Sequence, residues 1–139
     1  MSRRLYTGEE PAALTLGPLT RTDFVRYQGA SGDMNPIHHD EPFAKASGYP
    51  APLAVGMFSA GALCAWATDW LGPQGVRRTR IRWLKPCFPG MTLTLSGRVT
   101  AVRATETRDE VDLALVATDE AGAPVVQVWM EFHLSTDAP

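Results

Sequence analysis

Hydrophobic and polar positions alternate through the second half of this chain. Thr79 to Leu84 sets Ile81 and Trp83 against Arg80 and Arg82, and Met91 to Val99 sets Met91, Leu93, Leu95 and Val99 against Thr92, Thr94, Ser96 and Arg98. Val111 to Thr118 repeats the rhythm with Val111, Leu113 and Leu115. Val125 to Leu134 places Val126, Val128, Met130, Phe132 and Leu134 opposite Gln127, Trp129, Glu131 and His133. A period of two predicts strands with one buried face. Turn residues at Pro89-Gly90, Arg103 to Asp109 and Asp119 to Pro124 predict that these strands follow one another as an antiparallel meander.

The first half has a different texture. Ala12, Leu14 and Leu16 fit a short strand ended by Gly17-Pro18. Thr20 is placed to cap a helix over 21 to 31, with Asp23 in its first turn, Phe24 and Tyr27 on its core side, and Gly29 and Gly32 weakening its end. Asp40 can cap a second, short helix from Glu41 to Ala46, since Pro42 is tolerated in a first turn. Gly48-Tyr49-Pro50-Ala51-Pro52 then breaks the chain. From Ala54 to Ala67 nearly every residue is apolar or small, which predicts a helix buried all round. The run is shorter than the roughly 20 residues a bilayer needs, and Asp69 interrupts it, so it is not read as a membrane span. Its small residues, Gly56, Ser59, Ala60, Gly61 and Ala62, suit close approach to a curved sheet. One buried helix preceding a set of antiparallel strands is an α+β layer arrangement.

Composition narrows the picture further. At 139 residues the chain is expected to be a single domain, 1-139, with its core at about 12-135. Its formal net charge of -2 predicts no general attraction to nucleic acid or anionic membrane. Cys64 and Cys87 lie far apart without metal-ligand spacing and are read as reduced core thiols of a cytoplasmic protein. The stretch from Met1 to Pro11 carries no apolar signal core, which fits that location.

The candidate chemistry sits between the first two helices, in Ser31-Gly32-Asp33-Met34-Asn35-Pro36-Ile37-His38-His39-Asp40. Pro36 fixes its own φ and pushes Asn35 out of the helical region, so the segment should be a stiff bend able to bring Asp33 and His38 into one pocket. Taken alone, an Asp-x-Asn-Pro run is more often a capped turn than a site. His39 reads as a surface loop residue. A metal cluster of Asp33, His38, His39 and Asp40 is not favoured, because the spacing fits neither a helix nor a strand face.

With the bend, the helix opening at Gly56-Met57, and Arg82 to Gly90 with its Pro86 and Pro89-Gly90, the chain resembles the MaoC-like hydratases and dehydratases, the (R)-specific enoyl-thioester hydratase family. The resemblance runs from about 20 to 134, and its most specific element is Asp33-Met34-Asn35-Pro36-Ile37-His38. It implies a hot-dog domain, a long central helix wrapped by a curved antiparallel sheet. It further implies reversible hydration of a trans-2-enoyl thioester, carried on coenzyme A or an acyl-carrier protein. By the same resemblance Asp33 and His38 are the catalytic pair and Asn35 supports the loop, while the amides near Gly56, at the positive end of the helix, can form an oxyanion hole. Two positions depart from the family pattern: Val55 stands where a His is common, and Met91 where an acidic residue is common.

The residues suit that chemistry. A carboxylate and an imidazole flanking one water can orient it and exchange protons with it, and a helix N-terminus favours developing negative charge. Val55, Met57 and Ser59 are expected at the substrate, with Ser59 and Cys64 able to line an acyl tunnel. Arg77, Arg78, Arg80, Arg82 and Lys85 gather five of 13 basic residues in one stretch. Such a run is either a solvated strand face or a cradle for coenzyme A phosphates or an acidic carrier protein, with Arg77, Arg78 and Arg80 as its centre. No metal or redox cofactor is expected. A homodimer is, because one such domain leaves a sheet edge, with a hetero-oligomer containing a homologous subunit as the variant. Two other functions stay open, an acyl-thioesterase on the same fold and a non-catalytic subunit beside an active relative.

Overall fold

The computed structural model describes residues 4-136. Its first two helices start where local chemistry dictates. Helix α1, Arg21–Ser31, opens on a reciprocal cap in which Thr20 Oγ1 accepts from the Asp23 amide (3.1 Å) and the Asp23 carboxylate accepts from the Thr20 amide (2.8 Å). Such a cap is worth about 1 kcal/mol. The helix stops at Gly32, whose φ of 75° lets its amide turn back onto the Gln28 carbonyl at 2.8 Å. Helix α2, Glu41–Ala46, is capped as expected by Asp40, which accepts from the Phe43 amide at 2.9 Å.

Helix α3, Gly56–Leu71, begins two residues later than the apolar run and continues beyond Ala67. Its start is set outside the helix: the Ala54 amide donates to the Cys87 carbonyl at 2.9 Å, and Val55 is extended at φ -55°, ψ 134°. Asp69 faces solvent and does not interrupt the helix, which ends at Gly72 with φ 84°. Burial is confined to one side, where Ser59, Ala60, Leu63 and Ala67 recur at helical spacing. Met57 is 42% exposed and Ala65 is also exposed, so the expected burial all round is not met within one chain. The sheet covers one side of the helix. Part of a second side is covered by α1, whose Phe24 and Tyr27 meet Phe58 edge-on at ring separations of 5.9 and 5.7 Å.

The sheet has five strands, β1 Leu14–Leu16, β2 Val76–Trp83, β3 Leu93–Ala104, β4 Arg108–Thr118 and β5 Pro124–Ser135, all pairing antiparallel in the order β1-β3-β4-β5-β2. The last three form the expected meander. β2 does not: it pairs with β5, placing Arg80 opposite Trp129 and Trp83 opposite Val126, at the far side from β3. The reason lies just after Trp83, where the Leu84 and Lys85 amides both donate to the Val125 carbonyl (2.9 and 3.2 Å) and the chain crosses the sheet end before β3 starts. β2 also opens earlier than the alternation indicated, because a bulge at Arg77 resets the register between Val76 and Arg78.

The faces of β3, β4 and β5 are as read, whereas β2, at the edge of the sheet, buries no residue and leaves Trp83 49% exposed. Leu93, Leu95, Val99, Val111, Leu113, Leu115, Val126, Val128, Met130 and Phe132 form the core with Leu63, Ala60 and Ala67 of α3. Each large side chain buried here contributes about 1.5–3 kcal/mol relative to exposure. Gly97 sits where two strands press closest: a Cβ there would lie 2.5 Å from Leu115 Cδ2 and 2.8 Å from the Ala114 carbonyl oxygen. The result is a hot-dog arrangement, a long helix on an antiparallel sheet that stays open, with β1 and β2 as its edges.

Candidate active site

The bend between α1 and α2 is built by short polar contacts. The Asp33 amide donates to Ser31 Oγ (3.2 Å), the Asn35 amide to Asp33 Oδ1 (3.2 Å), and the Ile37 amide to Asn35 Oδ1 (3.1 Å), so the Asn35 side chain closes a hydrogen bond within the loop. Pro36–His38 form a single 3-10 turn. The larger support comes from Gln28, 2% exposed, whose Nε2 donates to the carbonyls of Asp33 (2.9 Å) and Asn35 (3.3 Å). Its Oε1 lies 3.2 Å from His39 Nδ1, which gives His39 a structural contact. Nothing in the bend's own sequence points to Gln28. The available signal was its position four residues after Phe24, which puts an amide on the buried face of α1 just where the bend returns.

Asp33 and His38 are brought together: Asp33 Oδ2 stands 3.8 Å from His38 Nε2. The imidazole is only 10% exposed, and the carboxylate is 44% exposed. His38 Nδ1 lies 2.7 Å from the Leu53 carbonyl oxygen. A carbonyl can only accept, so Nδ1 carries the proton, and in the neutral ring Nε2 presents its lone pair toward Asp33. The 3.8 Å gap is too long for a direct hydrogen bond, whereas one water about 2.8 Å from each atom can donate to both.

His38 opens onto a cavity of about 330 Å³ lined also by Val55, Gly56, Ser59, Trp83, Lys85 and Cys87, with Tyr49 and Leu53 among its other walls. It thus faces the N-terminus of α3. Val55 has no side chain able to cap that helix, so its first amides have no side-chain acceptor there. Ser59 Oγ donates to the Gly56 carbonyl at 3.4 Å, and Trp83 Nε1 donates to the same oxygen at 2.7 Å. Burial pushes the Cys87 thiol up, partly offset by Ser59 and Lys85. Lys85 pairs with the Asp119 carboxylate, and this pairing holds the Asp119 pKa down.

Not every expected residue joins this cavity. Val55, Gly56 and Ser59 do, while Asp33, Met57 and Cys64 are not in its lining, so Asp33 meets His38 at the rim and not on a shared wall. Trp83 lines it, and Phe88 stands behind it against Tyr49, with rings 6.4 Å apart. Trp66 and Trp70 pack on the core. Arg77, Arg78 and Arg80 lie along the exposed edge strand. Arg77 donates to the Gln74 and Val76 carbonyls (both 2.9 Å), Arg78 approaches Glu131 at 3.8 Å, and Arg80 stacks over Trp129 at 4.9 Å. Lys85, at the end of the same basic run, is the cation that reaches the cavity. Among the described residues no three His, Cys, Asp or Glu side chains gather as a metal site, and no helix is long and apolar enough to cross a membrane.

Known proteins share part of this sequence and its fold. A peroxisomal enoyl-CoA hydratase 2 of Arabidopsis thaliana is 38% identical over 69 residues, which are 45% of this chain and 21% of that protein. This chain therefore spans about a fifth of that relative's length. Among solved structures, the ChsH1-ChsH2 complex of Mycobacterium tuberculosis superposes with a TM-score of 0.83 at 25% identity, covering 94% of this chain and 99% of that one. The R-hydratase PhaJ1 of Pseudomonas aeruginosa follows with a TM-score of 0.80 at 25% identity, covering 97% and 88%. The family described as MaoC like domain matches residues 6–121, which take in the bend, the whole of α3 and the strands up to the β4-β5 turn. By that match the chain belongs to the MaoC-like family of the hydratases and dehydratases.

Proposed function

We propose that this domain catalyses the reversible addition of water to a trans-2-enoyl thioester, giving an (R)-3-hydroxyacyl thioester. The observation that carries the reading is the 3.8 Å approach of Asp33 to a His38 whose tautomer is fixed by the Leu53 carbonyl, at a cavity facing an uncapped helix N-terminus. A water donating to both Nε2 and Oδ2 keeps a lone pair free for C3 of the substrate. As its oxygen bonds to C3, one water proton passes to the Asp33-His38 pair, and the C2=C3 electron pair moves toward the thioester oxygen as an enolate. The pair then returns a proton to C2. The amide of Gly56, at the positive end of α3, stabilises the enolate oxygen, and one such donor is worth about 3–4 kcal/mol of barrier. Atoms and charge balance without an oxidant or a metal, so no cofactor is needed for the step.

The thioester is carried by coenzyme A or an acyl-carrier protein, and the basic edge strand takes its phosphates or acidic surface. Arg77 lies six residues along β2 from Trp83, about 20 Å at strand rise, which suits a phosphate held at the far end of a pantetheine arm. The (R) configuration is carried over from the R-hydratase among the solved neighbours. The exposed edge of β2 accepts a second subunit, a copy of this chain or a homologue. Two free cysteines, Cys64 and Cys87, fit a reducing compartment such as the cytoplasm.

The test follows the loss of enoyl-thioester absorbance with short-chain and long-chain substrates, for the wild type, Asp33→Ala and His38→Ala. Each substitution should lower kcat by about 10²- to 10⁴-fold. Activity that survives both removes the mechanism, and release of free thiol by the wild type assigns a thioesterase instead.

A further inference from the structure

The stretch from Leu53 to Gly56 is gripped from two sides. On the bend side, the Leu53 amide donates to the Ile37 carbonyl at 3.3 Å and the Leu53 carbonyl holds His38 Nδ1 at 2.7 Å. On the sheet side, the Ala54 amide donates to the Cys87 carbonyl at 2.9 Å, and the indole of Trp83 donates to the Gly56 carbonyl at 2.7 Å. Within this set Trp83 makes the side-chain contact to the first residue of α3. It comes from the last position of β2, twenty-seven residues away in sequence.

The contact is close in a second way. A Cβ on Gly56 would lie 3.2, 3.6 and 3.7 Å from Nε1, Cδ1 and Cε2 of Trp83, so the indole ring rests on the Gly56 Cα. The Gly56 carbonyl opens the hydrogen-bond ladder of α3, and its oxygen also accepts from the indole and from Ser59 Oγ. Fixing that carbonyl fixes the peptide plane that joins it to the Met57 amide. It also fixes where the opening amides of α3 point. The indole is 49% exposed, so its packing adds little to the core, and the polar contact is what its position provides. His38 hangs from the other end of the same four-residue stretch, so the water-holding side and the charge-stabilising side are spaced by one short segment.

We propose that Trp83 is a positioning residue, an indole N–H clamp on the Gly56 carbonyl that sets the opening amides of α3 relative to His38. This rests on the hydratase reading for its effect on rate, while the clamp itself can be read without turnover. Trp83→Phe keeps an aromatic ring and removes the donor. Trp83→His removes most of the ring, but its Nε2 falls where the indole Nε1 stood, since the imidazole overlays the five-membered ring of indole.

The experiment measures enoyl-thioester hydration and amide hydrogen exchange on the wild type and both variants. Trp83→Phe should lower kcat about 10- to 100-fold with KM changed less than about 3-fold, as expected for a small misplacement of groups that act only in the transition state. Its exchange should rise several-fold in the peptide spanning Leu53 to Ala62 and remain unchanged in β3 to β5. Trp83→His should recover most of both effects. An exchange pattern in Trp83→Phe equal to the wild type overturns the clamp. So does a Trp83→His variant no better than Trp83→Phe in either readout. A wild type that hydrates no enoyl thioester, yet shows the exchange changes, overturns the hydratase reading and leaves the clamp standing. If Trp83→Phe does not fold, a Trp83→His variant with wild-type exchange supports the clamp, and one with fast exchange from Leu53 to Ala62 refutes it.

Discussion

Replacing Gln28 tests whether the bend carrying Asp33 is held from within α1. The side chain is 2% exposed and donates to two carbonyls, at 2.9 Å to Asp33 and 3.3 Å to Asn35. Gln28→Leu preserves approximate size and removes both donors. A net hydrogen bond is worth about 0.5–1.5 kcal/mol, and the second bond here is long. Both acceptors belong to exposed residues that water can reach, so the expected loss is about 1.5 kcal/mol. Gln28→Glu separates donor loss from charge. An ionised carboxylate in the same place sets one oxygen against two carbonyl oxygens from a buried position; both effects raise its folded-state pKa above the ordinary value of about 4.3, and His39 Nδ1 at the other oxygen offsets only part of them.

The sign then follows. A group whose pKa is raised on folding contributes fully below its unfolded pKa and loses that contribution as pH rises toward the folded one. With a shift of roughly 2–3 units, Gln28→Glu should be about 3–4 kcal/mol less stable than wild type at pH 7.5. The gap should shrink to about 1 kcal/mol near pH 4.5, where the protonated acid can donate to one carbonyl. Urea unfolding followed by far-ultraviolet circular dichroism at both pH values, always as a difference from wild type, measures this. A Gln28→Glu protein as stable as Gln28→Leu at pH 7.5, or a gap that does not narrow on acidification, would falsify the account of Gln28 as a donor to the bend.

Three further outcomes are expected. Gly56→Ala gains helix propensity of up to about 1 kcal/mol, while its Cβ presses on the half-exposed indole, which can yield outward only by stretching its bond to the Gly56 carbonyl. Its unfolding midpoint should therefore stay within about 1 kcal/mol of wild type while kcat falls by about 10²-fold or more; equal activity rules out an oxyanion site there. Changing Arg77, Arg78 and Arg80 together to Ala should raise KM for a coenzyme A substrate and flatten its salt dependence, and an unchanged KM at low salt removes the cradle. Light scattering at micromolar concentration should report a dimer or a larger assembly, against which a monomer decides.

What could be read from the sequence divides along the range of the interaction that sets it. Thr20 with Asp23, Gly32, and Asp40 act within four residues, so α1 and α2 were legible to the residue. The faces of β3, β4 and β5 were legible for the same reason, since alternation is local and the core needs one face. The neighbour of β2 was not, because the two amides that turn the chain at Leu84 and Lys85 reach a carbonyl on β5 that no local pattern announces. The start of α3 depended on Cys87, thirty-three positions beyond Ala54.

The site follows the same division, and this explains why the bend alone was ambiguous. Asp33, Asn35 and His38 were visible as a motif, yet the atoms that make them chemical lie elsewhere in the chain. The Leu53 carbonyl fixes the tautomer from fifteen residues away. Gln28 holds the Asp33 carbonyl from the preceding helix, and Trp83 reaches Gly56 from the edge strand. A motif therefore names the groups that can exchange a proton with water, and the long-range contacts decide whether a lone pair or an N–H faces it. Residues such as Gln28 and Trp83 act through backbone carbonyls, which every residue carries, so their partners leave no mark on the sequence. Substitutions there should disable the domain while leaving the Asp-x-Asn-Pro-x-His signature intact.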